Sequence, residues 1–227
     1  MNAGMIKFAA VSTLAACASL SQASPVVIVN ASFENSSVSN YSCGSPVGWT
    51  LTTVLTGACF AGGLYGGVFH PSNYQPVGGD PPNVGAGFIA GATGARTAWM
   101  QGSGNMLQTL GDSAAAGTYT LSMDVGDRAD LNQDNYSIAL LVGGSTVQSQ
   151  SWSGANINGG GWLTRTITWT ASAGGGALGV KLSDLGGGQE VQFDNVRLDF
   201  AAAVPEPGSL ALVGVALVGL SVARRRA

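Results

Sequence analysis

Apolar and polar residues alternate one for one along much of the middle of this chain. In Thr118–Val125, Tyr119, Leu121, Met123 and Val125 fall on one side, and Thr118, Thr120, Ser122 and Asp124 on the other. "NYSIALLVGG" repeats the pattern with Tyr136, Ile138, Leu140 and Val142, and "WLTRTITWT" sets Leu163, Ile167 and Trp169 against a row of threonines. A period of two with polar outer positions marks half-buried antiparallel strands. "EVQFDNVRLDF" behaves differently: Val191 and Phe193 are odd-numbered, whereas Val196, Leu198 and Phe200 are even-numbered. A one-residue slip turns side chains to the opposite face unless an extra residue absorbs it. A bulge or bend is therefore predicted at Asp194–Asn195, with the Asp194 side chain re-aimed; the alternative is a strand buried on both faces.

Shorter strands are predicted at Val26–Val29, Gly48–Val54 and Gly87–Ala90. Between Asn35 and Gly94, Pro46, Pro71, Pro76, Pro81 and Pro82 forbid long regular elements. Roughly eight strands of this kind pack most economically as two antiparallel sheets. The predicted fold is all-β, an antiparallel β-sandwich of the jelly-roll type at residues 24–200.

The two ends break this pattern. Lys7 precedes an apolar run from Phe8 to Leu20, closed by Ser21-Gln22-Ala23. That is the layout of a secretory signal peptide at 1–23, forming a signal helix, with cleavage after Ala23. "LAAC" (Leu14–Cys17) also reads as a lipoprotein box in which Cys17 is lipidated, and this alternative stays open; either way the chain is exported. After a small-residue and proline linker at 201–208, the segment 209–227 holds the uncharged run Ser209–Ala223 and then Arg224, Arg225 and Arg226. As a helix the run spans roughly 22 Å, short of the about 30 Å of a bilayer core. The arginines hold its end on the cytoplasmic side. A short transmembrane helix is predicted.

Composition sharpens the picture. Only 9% of the residues are charged and 35 are glycine, a balance suited to short strands and turns and not to long helices. Residues 24–200 carry 11 acidic and 5 basic side chains with no basic stripe, which excludes nucleic acid as a partner. Cys43 and Cys59 form an even pair in an exported chain and are expected to be disulfide-bonded. The loop so closed contributes about 3 kcal/mol through the unfolded state.

Pro205-Glu206-Pro207, the apolar run and the arginine cluster together resemble the PEP-CTERM sorting signal of Gram-negative bacteria. The resemblance implies processing by an exosortase at the inner membrane, where the chain is transiently anchored, in a host that makes exopolysaccharide. Delivery to the cell surface or extracellular matrix follows. The middle of the chain, through "NASFE", "PVGW", "LQTL…GTYTLSMDVGDR" and "VQFDNVRL", is similar to galactose-binding-like jelly rolls of the carbohydrate-binding-module type. That resemblance implies a structural calcium held by the first-strand Glu34 and the last-strand Asp194; no other cofactor is expected.

Catalytic signals are sparse. "GAGFIA" (Gly85–Ala90) matches a dinucleotide pattern but lacks the strand before and helix after that the pattern requires. His70, the one histidine, sits in a proline-bounded loop without a nucleophile elbow. The "DRADLNQDN" loop lacks the glycine and terminal glutamate of a calcium loop, so Asp127, Asp130 and Asp134 are expected to be solvated. Trp152 and Trp162 lie near loop ends, where a flat aromatic suits stacking on a sugar ring. The expectation is a non-catalytic surface or matrix protein, with a carbohydrate-binding module as the alternative and a glycan-acting enzyme third.

Overall fold

The computed structural model describes residues 22–36, 41–54, 56–59, 63–70, 94–127, 132–157, 161–187 and 190–203, together with 214 and 224. The signal helix, most of the sorting tail and the strand predicted at Gly87–Ala90 lie outside the described residues. Among those described, no helix is long and apolar enough to cross a membrane.

Two antiparallel sheets enclose one core. Sheet A runs β11 (Trp162–Ala171), β8 (Gly117–Gly126), β13 (Val191–Ala202), β6 (Thr97–Met100) and β5 (Gly66–Phe69), with β1 (Ser24–Val26) also on β13. Sheet B runs β10 (Ser145–Trp152), β9 (Asn135–Val142), β12 (Ala177–Gly186), β7 (Gly104–Ser113) and β2 (Thr50–Thr53); β3 (Thr56–Cys59) and β4 (Gly63–Leu64) pair with each other. The fold is the all-β sandwich that the alternation predicts. Its core joins Leu121, Met123 and Val125 of β8 to Tyr136, Ile138 and Leu140 of β9, with Val180, Leu182 and Phe193 between. Burial of these side chains drives the two sheets together.

The phase slip in the last strand is a bulge. Asp194 pairs with Asp124 and Arg197 with Ser122, and the register shifts between them. Asn195 takes up the extra residue at φ +50°, a left-handed conformation that asparagine tolerates better than most residues. Val191 and Phe193 before the bulge, and Val196 and Leu198 after it, are all buried. The N–H of Val196 donates to Ala31 O at 2.9 Å, so the bulged residue ties the early chain to the last strand.

The early strand is shorter than its apolar run. Only Ser24–Val26 pairs with β13; the chain then leaves the sheet, and Val27 is 73% exposed. Gln108 of β7 clamps the departing backbone, its Nε2 donating to Val29 O (2.9 Å) and its Oε1 accepting from Val29 N–H (2.7 Å).

Candidate functional site

On the face of sheet A turned away from the core, register aligns a polar row across three strands. Thr164 of β11 stands opposite Asp124 of β8, and Asp124 opposite Asp194 of β13. Cross-strand neighbours of this kind have Cβ atoms about 5 Å apart, which brings two carboxylates side by side. Each is held by specific donors. Thr164 Oγ1 donates to Asp124 Oδ1 at 2.7 Å, and Asn195 Nδ2 donates to Asp124 Oδ2 at 2.9 Å. The bulged N–H of Asn195 donates to Asp194 Oδ1 at 2.6 Å. Arg197 brings a partly exposed guanidinium to 3.7 Å from Asp124 Oδ1. Asp194 is fully buried, whereas Asp124 retains 8% exposure, so Asp124 is the less enclosed of the two carboxylates.

Two residues along the same face of β11, Trp162 is paired with Gly126. A Cβ at Gly126 would run into the indole carbons of Trp162, so the missing side chain lets the ring lie over β8. The face therefore carries an aromatic surface, an oriented carboxylate and a guanidinium in sequence. Beyond the pair, β13 continues inward with a buried relay: Thr97 Oγ1 donates to Gln192 Oε1 at 3.3 Å, and Gln192 Nε2 to Glu190 Oε1 at 3.1 Å.

Trp152 lies elsewhere. It is half-buried, stacked on Tyr136 with ring centroids 5.7 Å apart, and the Arg165 guanidinium sits 5.2 Å from its ring. Arg165 Nε also donates to the Tyr136 hydroxyl at 2.8 Å. Burial pushes the Tyr136 phenol up from its usual range, partly offset by that hydrogen bond. Of the two tryptophans singled out from the sequence, only Trp162 joins the carboxylate row.

Glu34 and Asp194 are committed to different partners. Glu34 Oε1 accepts from the N–H groups of Ala95 and Arg96, both at 2.7 Å, and Oε2 faces the Arg96 guanidinium at 3.3 Å. A calcium at Glu34 would share that carboxylate with these three donors. Among the described residues, no group of three or more His, Cys, Asp or Glu has metal-holding geometry. The expectation of a solvated loop fails at its two ends, for Asp127 and Asp134 are buried; Asp130 lies outside the described residues. Asp124 and Asp184 drew little attention in the sequence because their partners come from other strands.

A family model for HpiC1 cyclase matches residues 24–199, and the PEP-CTERM protein-sorting motif matches residues 203–226. Among solved structures, a cyclase from Fischerella sp. TAU is 23% identical, with a TM-score of 0.62 over 81% of this chain and 100% of its own. TmCBM61, solved in complex with beta-1,4-galactotriose, is 14% identical, with a TM-score of 0.46 over 75% of this chain and 95% of its own. The CBM22-1 xylan-binding domain of Paenibacillus barcinonensis Xyn10C is 13% identical, with a TM-score of 0.42 over 76% of this chain and 93% of its own. None of the curated proteins matches the chain. The tail is thus a PEP-CTERM sorting motif, which marks an exported, exosortase-processed protein. The expectation of a non-catalytic domain is corrected: the match of residues 24–199 to the cyclase family model points to an enzyme.

Proposed function

The chain belongs to the HpiC1 cyclase family, and from that premise we propose that it is an exported cyclase whose working site is the outer face of sheet A around Asp124. The observation that carries this reading is the orientation of Asp124 by Thr164 and Asn195 beside the Trp162 ring. Ring closure by isomerisation adds a proton at one atom of the substrate and takes one from another. Such chemistry needs an acid–base group in fixed position and a surface that tolerates developing positive charge. A carboxylate held at Oδ1 by Thr164, with Arg197 nearby, and at Oδ2 by Asn195 supplies the first. An indole face supplies the second, since its ring quadrupole attracts cations. Arg197 offers an anchor for an anionic or carbonyl group of the substrate.

Asp194 and Asn195 act here as positioning residues: the bulge they form aims the Asn195 amide at Asp124. The experiment is complementation of a deletion strain of the host. A cyclase deletion accumulates an open precursor and lacks its ring-closed isomer. Wild type restores the isomer and Asp124→Asn does not, although the variant folds and is exported. Identical metabolite profiles in the deletion and wild-type strains overturn the reading.

Three finer points belong to the same proposal. The exported enzyme is transiently anchored in the inner membrane by its tail before release to the cell surface or matrix, and it works among exopolysaccharide; the sorting motif supports this. A signal peptide at 1–23 starts the route. A Cys43–Cys59 bridge fastens the loop before β2 to β3; the bonded state of the Cys43 sulfur supports it, and the Cys59 side chain lies outside the described residues.

A further inference from the structure

Both sheets end on the same side of the sandwich. Strand order puts β11 last in sheet A and β10 last in sheet B. The two lie against each other there, with the Arg165 guanidinium of β11 5.2 Å from the Trp152 ring of β10. The opposite edges are covered. Along β5, Ser42 N–H donates to Val68 O at 2.7 Å, Gly44 N–H donates to Gly66 O at 2.9 Å, and Tyr41 bridges Phe69. On β2, the Leu51 N–H is taken by Ser45 Oγ at 2.9 Å. An open edge is normally blunted by lysine, proline, charge or a bulge. Strand β10, "STVQSQSW", has no charge and no proline, and one register shift between Thr146 and Gln148. Strand β11 holds its register with β8 unbroken from Trp162 to Ala171. Its one charged side chain, Arg165, turns inward to Tyr136 and Trp152.

The backbone groups on that edge can be assigned. Asp127 N–H donates to Gly161 O at 3.1 Å, one step beyond the Trp162–Gly126 pair in the same register. Bonded and non-bonded pairs alternate along an antiparallel ladder. Leu163, Arg165, Ile167, Trp169 and Ala171 therefore spend their N–H and C=O groups on β8. Thr164, Thr166, Thr168 and Thr170 turn theirs to the open side, and all four threonines are exposed.

We propose that the β11 edge pairs antiparallel with β11 of a second copy of this chain, about a two-fold axis at Ile167, so that the two sheets A run on as one. With Ile167 opposite its own copy, Thr166 meets Thr168 of the second copy, and Thr164 meets Thr170. These are the residues whose backbone groups point outward, and each such pair exchanges two hydrogen bonds. On the inner face Arg165 stands opposite Trp169 of the second copy, whose ring attracts the guanidinium. The exposed Leu163 stands opposite Ala171, and no like charges oppose each other at any position. The two stacked edges decide the partner. A lone peptide strand covers one of them. A second copy related by that axis brings its own β10 beside β10 while β11 pairs, as an isologous interface requires. The outer face with Asp124 stays open, so the pairing holds whether or not Asp124 is catalytic.

The test is sedimentation of the full chain in mild detergent, with the micelle mass subtracted, together with hydrogen exchange. Wild type should sediment as a dimer. The amides of Thr164, Thr166, Thr168 and Thr170 should exchange slowly in the dimer and fast on dilution, whereas those of Leu163, Arg165 and Ile167 stay protected throughout. Thr168→Pro removes an outward N–H and no bond to β8. It should give a folded monomer whose other three threonine amides exchange fast at every concentration. Should Thr168→Pro fail to fold, the double variant Thr166→Lys/Thr168→Lys decides. It keeps the backbone intact and sets ammonium groups directly opposite each other across the axis, which should abolish the dimer. A monomeric wild type overturns the proposal, whether or not another protein takes the edge. An association that survives in either folded variant also overturns it, because the contact then lies in the tail or on another surface.

Discussion

Substitution of Asn195 separates the two duties that one residue performs at the bulge. Its backbone occupies a left-handed conformation, and its side-chain amide reaches Asp124 Oδ2 at 2.9 Å. A hydrogen bond to a charged acceptor contributes about 1.5–3 kcal/mol, and Asp124 is shielded enough for the middle of that range to apply. The left-handed conformation costs a residue with a Cβ about 1 kcal/mol more than glycine. Asn195→Gly loses only the hydrogen bond and should cost about 2 kcal/mol. Asn195→Ala loses it and adds backbone strain, for about 3 kcal/mol in all. Urea unfolding followed by tryptophan fluorescence measures both. Asn195→Asp adds a third carboxylate beside Asp124 and Asp194, so its penalty at neutral pH should shrink as the solution is acidified. Alanine no worse than glycine, or both within about 0.5 kcal/mol of wild type, refutes the account of the bulge.

Two more outcomes follow from the packing. A Cβ at Gly67 would collide with the backbone carbonyl of Ser42, whose neighbouring N–H and hydroxyl pair with Val68 of β5. Gly67→Ala should therefore cost about 2 kcal/mol or more in a urea titration, and a neutral result would mean that the segment at Ser42 yields freely. Thiol labelling of unfolded, unreduced protein should leave Cys43 and Cys59 unmodified, whereas quantitative labelling of both would remove the bridge.

Strand β8 was legible because one face is in the core, so apolarity alternates with the pleat; in β9 Tyr136, Ile138 and Leu140 kept that signal although Ala139 and Leu141 are buried too, and in β11 Ile167 is buried whereas Leu163 is exposed. Strand β12, "ALGVKLSDLG", hid because much of it is buried on both faces, which erases the alternation. Strand β10, "STVQSQSW", hid for the opposite reason, as a polar edge with little in the core. Val26–Val29 misled in the other direction, since apolar residues do not compel pairing once Gln108 captures the backbone at Val29. The site divides in the same way. The bulge at Asp194–Asn195 could be read because it leaves a mark within one strand. The opposition of Asp124 to Thr164 and Asp194 is a matter of register between distant segments. No local pattern records it.

The pairing of Ser24 with Phe200 has a mechanical meaning. Strand β1 and the C-terminal end of β13 lie together at one end of the sandwich, while Asp124 and Asp194 lie toward the other. Tension applied between the C-terminal end of β13 and the far pole must run lengthwise through that strand, whose register with β8 extends from Gln192 to Ala202. Strands loaded along their axes share force over all their cross-links at once, whereas strands peeled sideways break one link at a time. A domain loaded through this strand is rigged for shear, with nine paired residues of β13 on β8 sharing the load.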